Sequence, residues 1–228
     1  MNDITSAPSF HEVVAARRSI RGFLPTPLPR DTLSAILEEA QRAPSNCNTQ
    51  PWNVHLVSGG ALTRLSTALL AAMRAEDYSL DFGFDKAAYP EPYAGRAADQ
   101  GRSYYQALGV ARGDMPGRAE VVERNVRFFG APHVALLFMP QVGDNVRAAA
   151  DVGMYAQTFL LALSARGHAG VPQAVLSYFA DIVRATLSVP AEMKLLFGIS
   201  FGTPDRSHEA FAYHEGRVPL ADSVTWHD

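Results

Sequence analysis

The chain has 228 residues, 47% hydrophobic and 19% charged, enough to bury a sizeable core in one large domain or two small ones. A net charge of −3 gives no global pull towards nucleic acid or an anionic membrane. The single cysteine, Cys47, excludes an internal disulfide and a cysteine-rich metal site, and as a lone thiol it reads as small and inert.

The first residues, MNDITSAPSF, lack the basic start and apolar block of a secretory signal. No apolar run approaches the ~18 residues of a membrane span. The expectation is a soluble, cytoplasmic protein with no membrane or nucleic-acid partner. Residues 10–17 have helical spacing, with Phe10, Val13 and Val14 on one side. A basic stretch follows, Arg17, Arg18, Ser19, Ile20 and Arg21, and then Pro25, Pro27 and Pro29 forbid regular helix. Arg30 or Asp31 opens the next helix, whose Leu33, Ile36, Leu37 and Ala40 repeat at helical spacing until Pro44 stops it. A polar loop, "APSNCNTQPW", runs from Ala43 to Trp52. Residues 53–57 alternate as a strand, closed by Gly59 and Gly60.

Residues 61–75 read as a helix, and 79–95, rich in aromatics, Gly and Pro, as a surface excursion. Two further helices are expected over 96–111 and 115–128, and a strand over 134–138 closed by Pro140. The segment 147–166 is the longest helical pattern and is nearly apolar all round, which predicts a central buried helix. Gly167 and Gly170 end it, a short strand and turn occupy 169–173, a helix covers 181–187, and a last apolar strand covers 195–201. The tail from Thr203 shows no periodicity. Strands separated by helices, without repeats or a linker, predict one α/β or α+β domain over 1–228.

Three stretches carry polar groups suited to a ligand. Arg17, Arg18 and Arg21 with Ser19 suit a phosphate or the edge of a polar heterocycle; the same pattern is a solvated basic patch at a helix C-terminus, which composition by itself favours. Ser45, Asn46, Asn48 and Gln50 offer amide and hydroxyl groups on a loop stiffened by Pro44 and Pro51, or else satisfy a helix end. The run from Gly170 through Val171, Pro172, Gln173 and Ala174 is either a tight turn with free backbone N–H groups or a plain strand-to-helix connection. No P-loop, GxGxxG, HExxH, GxSxG or CxxC motif is present. The seven histidines are scattered, and no metal site is expected. Glu38 and Glu39 read as a solvated helix face.

Taken in order, "AARRSIRGF", "APSNCNTQPW", "GVPQAVL", "LLFGISFGTPD" and "HEGRVPL" resemble the FMN-dependent nitroreductase family, over nearly the whole chain. The likeness is to bacterial reductases of nitroaromatic compounds. It implies an α+β fold, a mixed central sheet surrounded by helices, in an intertwined homodimer whose C-terminal arm extends over the partner. It implies two FMN sites at the interface, fed by NADPH or NADH, and reduction of a small nitroaromatic to nitroso, hydroxylamine or amine products by ping-pong hydride transfer. A quinone, enone or halogenated aromatic as acceptor, or a flavin-binding protein without catalysis, are the alternatives within this resemblance.

Carried over residue by residue, Arg17 and Arg217 match positions that hold the FMN phosphate, Arg18 and Ser19 the phosphate and ribityl side, and Arg21 a basic position near the flavin pyrimidine. Pro44, Ser45, Asn46, Asn48 and Gln50 match a loop that reaches the partner's flavin. Val171, Pro172, Gln173 and Ala174 match the turn under the isoalloxazine, where the N–H of Gln173 or Ala174 meets N5. No protein nucleophile is implied. Two departures stand out: Glu215 occupies a position that is often basic, and Gln173-Ala174 replaces a Gly-rich acidic turn. Tyr78, Phe82, Phe84, Tyr89, Tyr93, Tyr104 and Tyr105 are candidates for a substrate lid.

Overall fold

The computed structural model describes residues 7–228. The expectation about a secretory signal rests partly on residues 1–6, which lie outside the described residues. The order of elements is α1 (Phe10–Ala16), α2 (Arg30–Ala40), β1 (Asn53–Ser58), α3 (Gly59–Arg74), α4 (Tyr93–Ala107), α5 (Met115–Val126), β2 (His133–Pro140), α6 (Val146–Ser164), β3 (Ala169–Gln173), α7 (Ala180–Leu187) and β4 (Met193–Gly202). The expected elements are present, and the differences have local causes. The opening helix is capped by a reciprocal box, in which the Glu12 N–H donates to Ser9 Oγ and the Ser9 N–H donates to the Glu12 carboxylate. Its apolar side is not buried as a whole: Val13 is, while Phe10 is 76% exposed. Gly59 opens α3 instead of closing the strand in a loop, and its φ of +56° lets the chain turn directly from β1 into the helix.

The four strands form one sheet in the order β1-β2-β4-β3, with every neighbouring pair antiparallel. Among the described residues the sheet is therefore antiparallel, not the mixed sheet expected. Parallel pairing among the described residues is confined to isolated bridges, Ser19 with Gly170 and Ser79 with Phe179. The cause is connectivity: β2 and β4 each enter the sheet at the end where the preceding strand stopped, and β3, which α6 brings back in the same direction as β2, is separated from it by β4.

The central strand β2 is apolar on both faces because both are covered. Val134, Leu136 and Phe138 join a layer containing Leu65 and Leu69 of α3, Val126 of α5, and Phe179 and Val183 around α7. Ala135, Leu137 and Met139 join the other, with Leu33 and Ile36 of α2 and Val152, Tyr155, Phe159 and Leu163 of α6. Successive side chains of a strand alternate between faces, so this one run holds both cores together. α6 is central and buried, as its composition predicts. The excursion after α3 is pinned at its base. The Ser79 N–H donates to the Tyr178 carbonyl at 2.7 Å, and the buried Asp81 carboxylate accepts from Arg184 and from the Leu195 N–H.

Trp52 lies at the edge of the second core. Its ring packs 5.1 Å from that of Tyr155, and its Nε1–H donates to Gln41 Oε1 at 2.8 Å. The exit of the polar loop is thereby tied to α2 and α6.

His133, at the start of β2, is 2% exposed and stacks on Phe201. Its Nε2 takes the Leu28 backbone N–H at 2.9 Å. A backbone N–H is only a donor, so Nε2 is the acceptor and the ring proton sits on Nδ1, facing Ser58 Oγ. Burial pushes the imidazole pKa below its ordinary value of 6.5. The folded protein holds the ring neutral where the unfolded chain would protonate it, so the unfolded state binds more protons as pH falls below about 6.5. Stability from His133 is full above that pH and is lost between it and the lower folded value. Urea unfolding should give a lower midpoint at pH 5.5 than at pH 7.5. In His133→Gln, which keeps an acceptor and cannot titrate, that decline should be smaller; an unchanged decline would show that His133 does not carry it.

Candidate functional site

The sequence around Arg17 forms a site because of one close approach. After α1 the chain runs extended along the free edge of β3, where Ser19 bridges Gly170. A Cβ at Gly170 would stand 2.9 Å from Leu160 Cδ2 and 3.1 Å from Ile199 Cγ2, so only glycine lets α6 and the sheet meet here without displacement. The result is a cavity of about 790 Å³ between the arginine segment, α6, the end of β3 and the C-terminal tail. Arg17, Arg18, Ser19, Arg21, Pro172 and Arg217 all line it, joined by Gln100, Gln157, Tyr213 and Glu215.

The electrostatics are one-sided. Burial and the neighbouring Arg217 hold the Arg17 guanidinium below its ordinary pKa. Arg17, Arg18, Arg21 and Arg217 have no carboxylate within ion-pair distance among the described residues. Arg18 donates to the Phe211 carbonyl at 3.2 Å and lies over the Phe211 ring. Arg21 donates weakly to the Ser19 carbonyl and rests 4.7 Å above the Tyr104 ring, a cation–π contact that fixes the charge beside the cavity. Arg217 folds onto its own backbone, donating to the Gly216 carbonyl at 2.8 Å. The carboxylate in the wall, Glu215, accepts instead from the Tyr213 hydroxyl at 2.8 Å, which in turn accepts from the Gln100 amide. Crowded guanidiniums without counter-charges form a receptor for an anion.

At the end of β3 the structure separates the four sequence candidates. Val171 and Gln173 are buried, while Pro172 and Ala174 are exposed. The Gln173 side chain is a core cross-link: its amide donates to the Asn125 carbonyl at 2.9 Å, and its Oε1 accepts from Ser200 Oγ. That side chain therefore serves the core, and the contact expected of Gln173 or Ala174 is one of the backbone N–H. Pro172 has no N–H and faces the free edge, as a proline in a ladder must. By alternation the Gln173 N–H points back to its partner Gly198 on β4. Ala174 opens a 3₁₀ turn (Ala174–Tyr178), and the first N–H of such a turn has no partner within it. Ala174 therefore offers a backbone donor two residues beyond Pro172, the residue of β3 that lines the cavity.

The polar loop stands elsewhere. None of Pro44, Ser45, Asn46, Asn48 and Gln50 lines the cavity of its own chain. The Asn46 N–H reaches both carboxylate oxygens of Asp151 at 3.1 Å. Asp151 precedes Gln157 by six residues on α6, about 9 Å along the axis. Ser45 Oγ accepts the Gln50 N–H at 2.9 Å, and the Gln50 amide donates to the Asn48 carbonyl at 3.1 Å. Cys47, Asn48 and Gln50 have φ of 50°, 56° and 48°, left-handed values that cost residues with a Cβ.

The aromatic candidates divide. Tyr104 is buried beneath Arg21, and Tyr105 lies under Arg118. Tyr78 and Phe84 pack against Tyr178. None of the seven lines the cavity, so within one chain they form no lid over it. Sequence reasoning missed Gln100, Gln157, Tyr213 and Asp151. For Asp151 and Gln157 a signal was present, since each is a polar residue in an otherwise apolar helix. Among the described residues no helix is long and apolar enough to cross a membrane.

A family model described as "Nitroreductase family" matches residues 14–203. The chain is 43% identical over 215 residues to "Nitroreductase NfnB" of Mycolicibacterium smegmatis, covering 94% of this chain and 90% of that one. It superposes with a TM-score of 0.92, at 41% identity over 96% of this chain and 97% of the other, on the crystal structure of the FMN-dependent nitroreductase NfnB from Mycobacterium smegmatis in complex with NADPH. It is 31% identical to "Chloronitrobenzene nitroreductase" of Comamonas testosteroni, covering 97% and 98% of the two chains. It is 33% identical to "4-nitrobenzoate reductase" of Pseudomonas putida, covering 87% and 86%. The arginine edge, the Gly170 approach and the β3 turn all fall inside the matched span, and with similarity running almost end to end the chain belongs to the nitroreductase family.

Proposed function

We propose that this protein is an FMN-dependent NAD(P)H oxidoreductase that reduces nitroaromatic compounds, working as a homodimer. The observation that carries the reading is the set of four guanidiniums around one cavity without a carboxylate partner. A flavin mononucleotide fits that chemistry. It has one terminal phosphate for Arg17 and Arg217, a ribityl chain for Arg18 and Ser19, and a polar pyrimidine edge for Arg21. No dinucleotide fingerprint calls for an adenylate half. Held by these residues, FMN would supply the hydride chemistry between NADPH or NADH and a nitro group. The residues of the chain bind, orient and tune. Ala174 N–H marks the edge where the ring nitrogen would be met. Arg21, fixed against Tyr104, sets a positive charge where reduction adds negative charge. The curated relatives named for chloronitrobenzene and nitrobenzoate support the substrate class.

Two observations support the dimer. The 44–50 loop stands away from the cavity of its own chain yet presents Asn46 and Asn48 side chains with no hydrogen bond among the described residues. The C-terminal tail exposes Leu220 and Trp226, at 64% and 78%, and α6 exposes Val146 at 65%. Apolar surface of that kind is what an obligate interface covers.

The purified protein is expected to be yellow and to release FMN, not FAD, on denaturation. Anaerobic NADPH should bleach it, and a nitroaromatic should restore the colour. A colourless protein that cannot be reconstituted with FMN would remove the proposal. Sedimentation should show a dimer that loses flavin on dissociation; a dilute monomer that keeps FMN and activity would count against the shared site. Arg21→Gln should retain much of the FMN but lower its potential. A charge-assisted hydrogen bond is worth about 1.5–3 kcal/mol, and about 30 mV corresponds to 1.4 kcal/mol for two electrons, so a fall of roughly 30–60 mV is expected by potentiometric titration. An unmoved potential with normal FMN binding would make Arg21 an ordinary surface cation.

A further inference from the structure

Asp151 is 4% exposed, in the second turn of the largely apolar α6. Val152, Tyr155 and Ala156 beside it are buried in the core. It makes no ion pair among the described residues; its hydrogen bond is the shared one from the Asn46 N–H. A carboxylate has about four acceptor positions, and burying one with a single donor is unfavourable unless the arrangement serves something else. The Asn46 N–H opens the segment in which Cys47, Asn48 and Gln50 hold left-handed conformations. Such conformations persist only where the surroundings over-determine them. The Ser45–Gln50 bond closes the loop on itself and would move with it. Trp52 holds the exit through Gln41 and Tyr155. Asp151 is the side-chain tie between the entry of the loop and the scaffold.

We infer that Asp151 is a positioning residue: it clamps the 44–50 loop so that Asn46 and Asn48 face outward, and through that loop it governs FMN retention in the cavity of a second copy of the chain. The inference rests on the shared-site reading above. The carboxylate touches neither substrate nor cofactor. It acts by fixing the Asn46 amide, which leaves the loop one geometry to present across the interface.

The test pairs two substitutions. Asp151→Leu fills a similar volume with an apolar side chain in an apolar helix, where loss of a buried charge is tolerated; Asp151→Ala takes its place if that variant does not fold. Asp151→Asn keeps an acceptor for the Asn46 N–H. Apoprotein is titrated with FMN by fluorescence quenching, with circular dichroism and sedimentation as controls of fold and dimer. Asp151→Leu should raise the FMN Kd at least tenfold, which is about 1.4 kcal/mol, and should speed amide exchange in the 43–52 segment. Asp151→Asn should stay within about threefold of the parent. Parent-like FMN affinity in a folded Asp151→Leu protein overturns the inference and leaves the dimer reading standing. Asp151→Leu chains are then mixed with Arg17→Ala chains. A mixed dimer carries both lesions in one site and neither in the other, so one tight FMN site per mixed dimer should return. If Asp151→Leu weakens FMN but mixing restores no tight site, the loop does not act across the interface, and the shared-site reading falls with that part of the inference.

Discussion

The structure depends on how closely α6 packs on the sheet at Gly170, the β3 residue that Ser19 bridges. Leu160 and Leu163 of α6 and Ile199 of β4 converge on that position, all within 3.2 Å of where a Cβ would be. At the same residue, along the free edge of β3, the segment after α1 bridges to the sheet through Ser19. That bridge turns a run of arginines, which in isolation would be a solvated helix end, into one wall of a cavity. A methyl group there would force side chains or backbone aside, a change that typically costs 1–3 kcal/mol in a packed core. The cost would fall on the packing behind the site, since the atoms displaced belong to Leu160 and Leu163 of α6 and Ile199 of β4.

The cavity is held in a charged state by geometry. Guanidiniums repel one another, and burial makes the repulsion stronger by removing water. Arg17 shows the effect in a pKa below its ordinary value, with Arg217 beside it. The protein stabilises each of the other three by neutral contacts: a carbonyl and an aromatic face for Arg18, an aromatic face for Arg21, and backbone carbonyls for Arg217. Neutral acceptors orient a cation without cancelling it, so the field stays available to an anionic ligand. Glu215, the carboxylate in the wall, is engaged by Tyr213. The cavity thereby departs from an all-basic phosphate cradle while its guanidiniums remain unpaired.

Neighbouring residues of one short strand divide between support and binding. In β3 the buried Gln173 side chain ties Asn125 and Ser200 into the core, while the exposed Pro172 lines the cavity. The alternation of a strand does this without further design. α6 makes the same division along its length: Gln157 lines the cavity, and Asp151 holds the loop away from it. A ligand site built on two rigid elements is positioned by the core itself, whose halves are joined through β2.

The sequence determined by itself the class of the fold, nearly all the elements, the buried character of α6 and the identity of the basic residues that gather. Those follow from hydrophobic period, from proline and glycine punctuation, and from motifs whose residues are near neighbours in the chain. The antiparallel order of the sheet depended on which way each helix returns the chain, a property of packing between distant segments. Phe10 and Val14 had the spacing of a buried face, yet α1 buries Val13, because burial depends on what lies opposite and not on period alone. What the Gln173 side chain does was not legible until Ser200 and Asn125 were beside it. The opening polar loop was legible as a loop, but not where it points. That was decided by Asp151, about a hundred residues later in the chain, and by the left-handed turns it steadies. Local propensity is written within a few residues, whereas the direction of a side chain or a loop is set by contacts that form only when remote parts of the chain are packed.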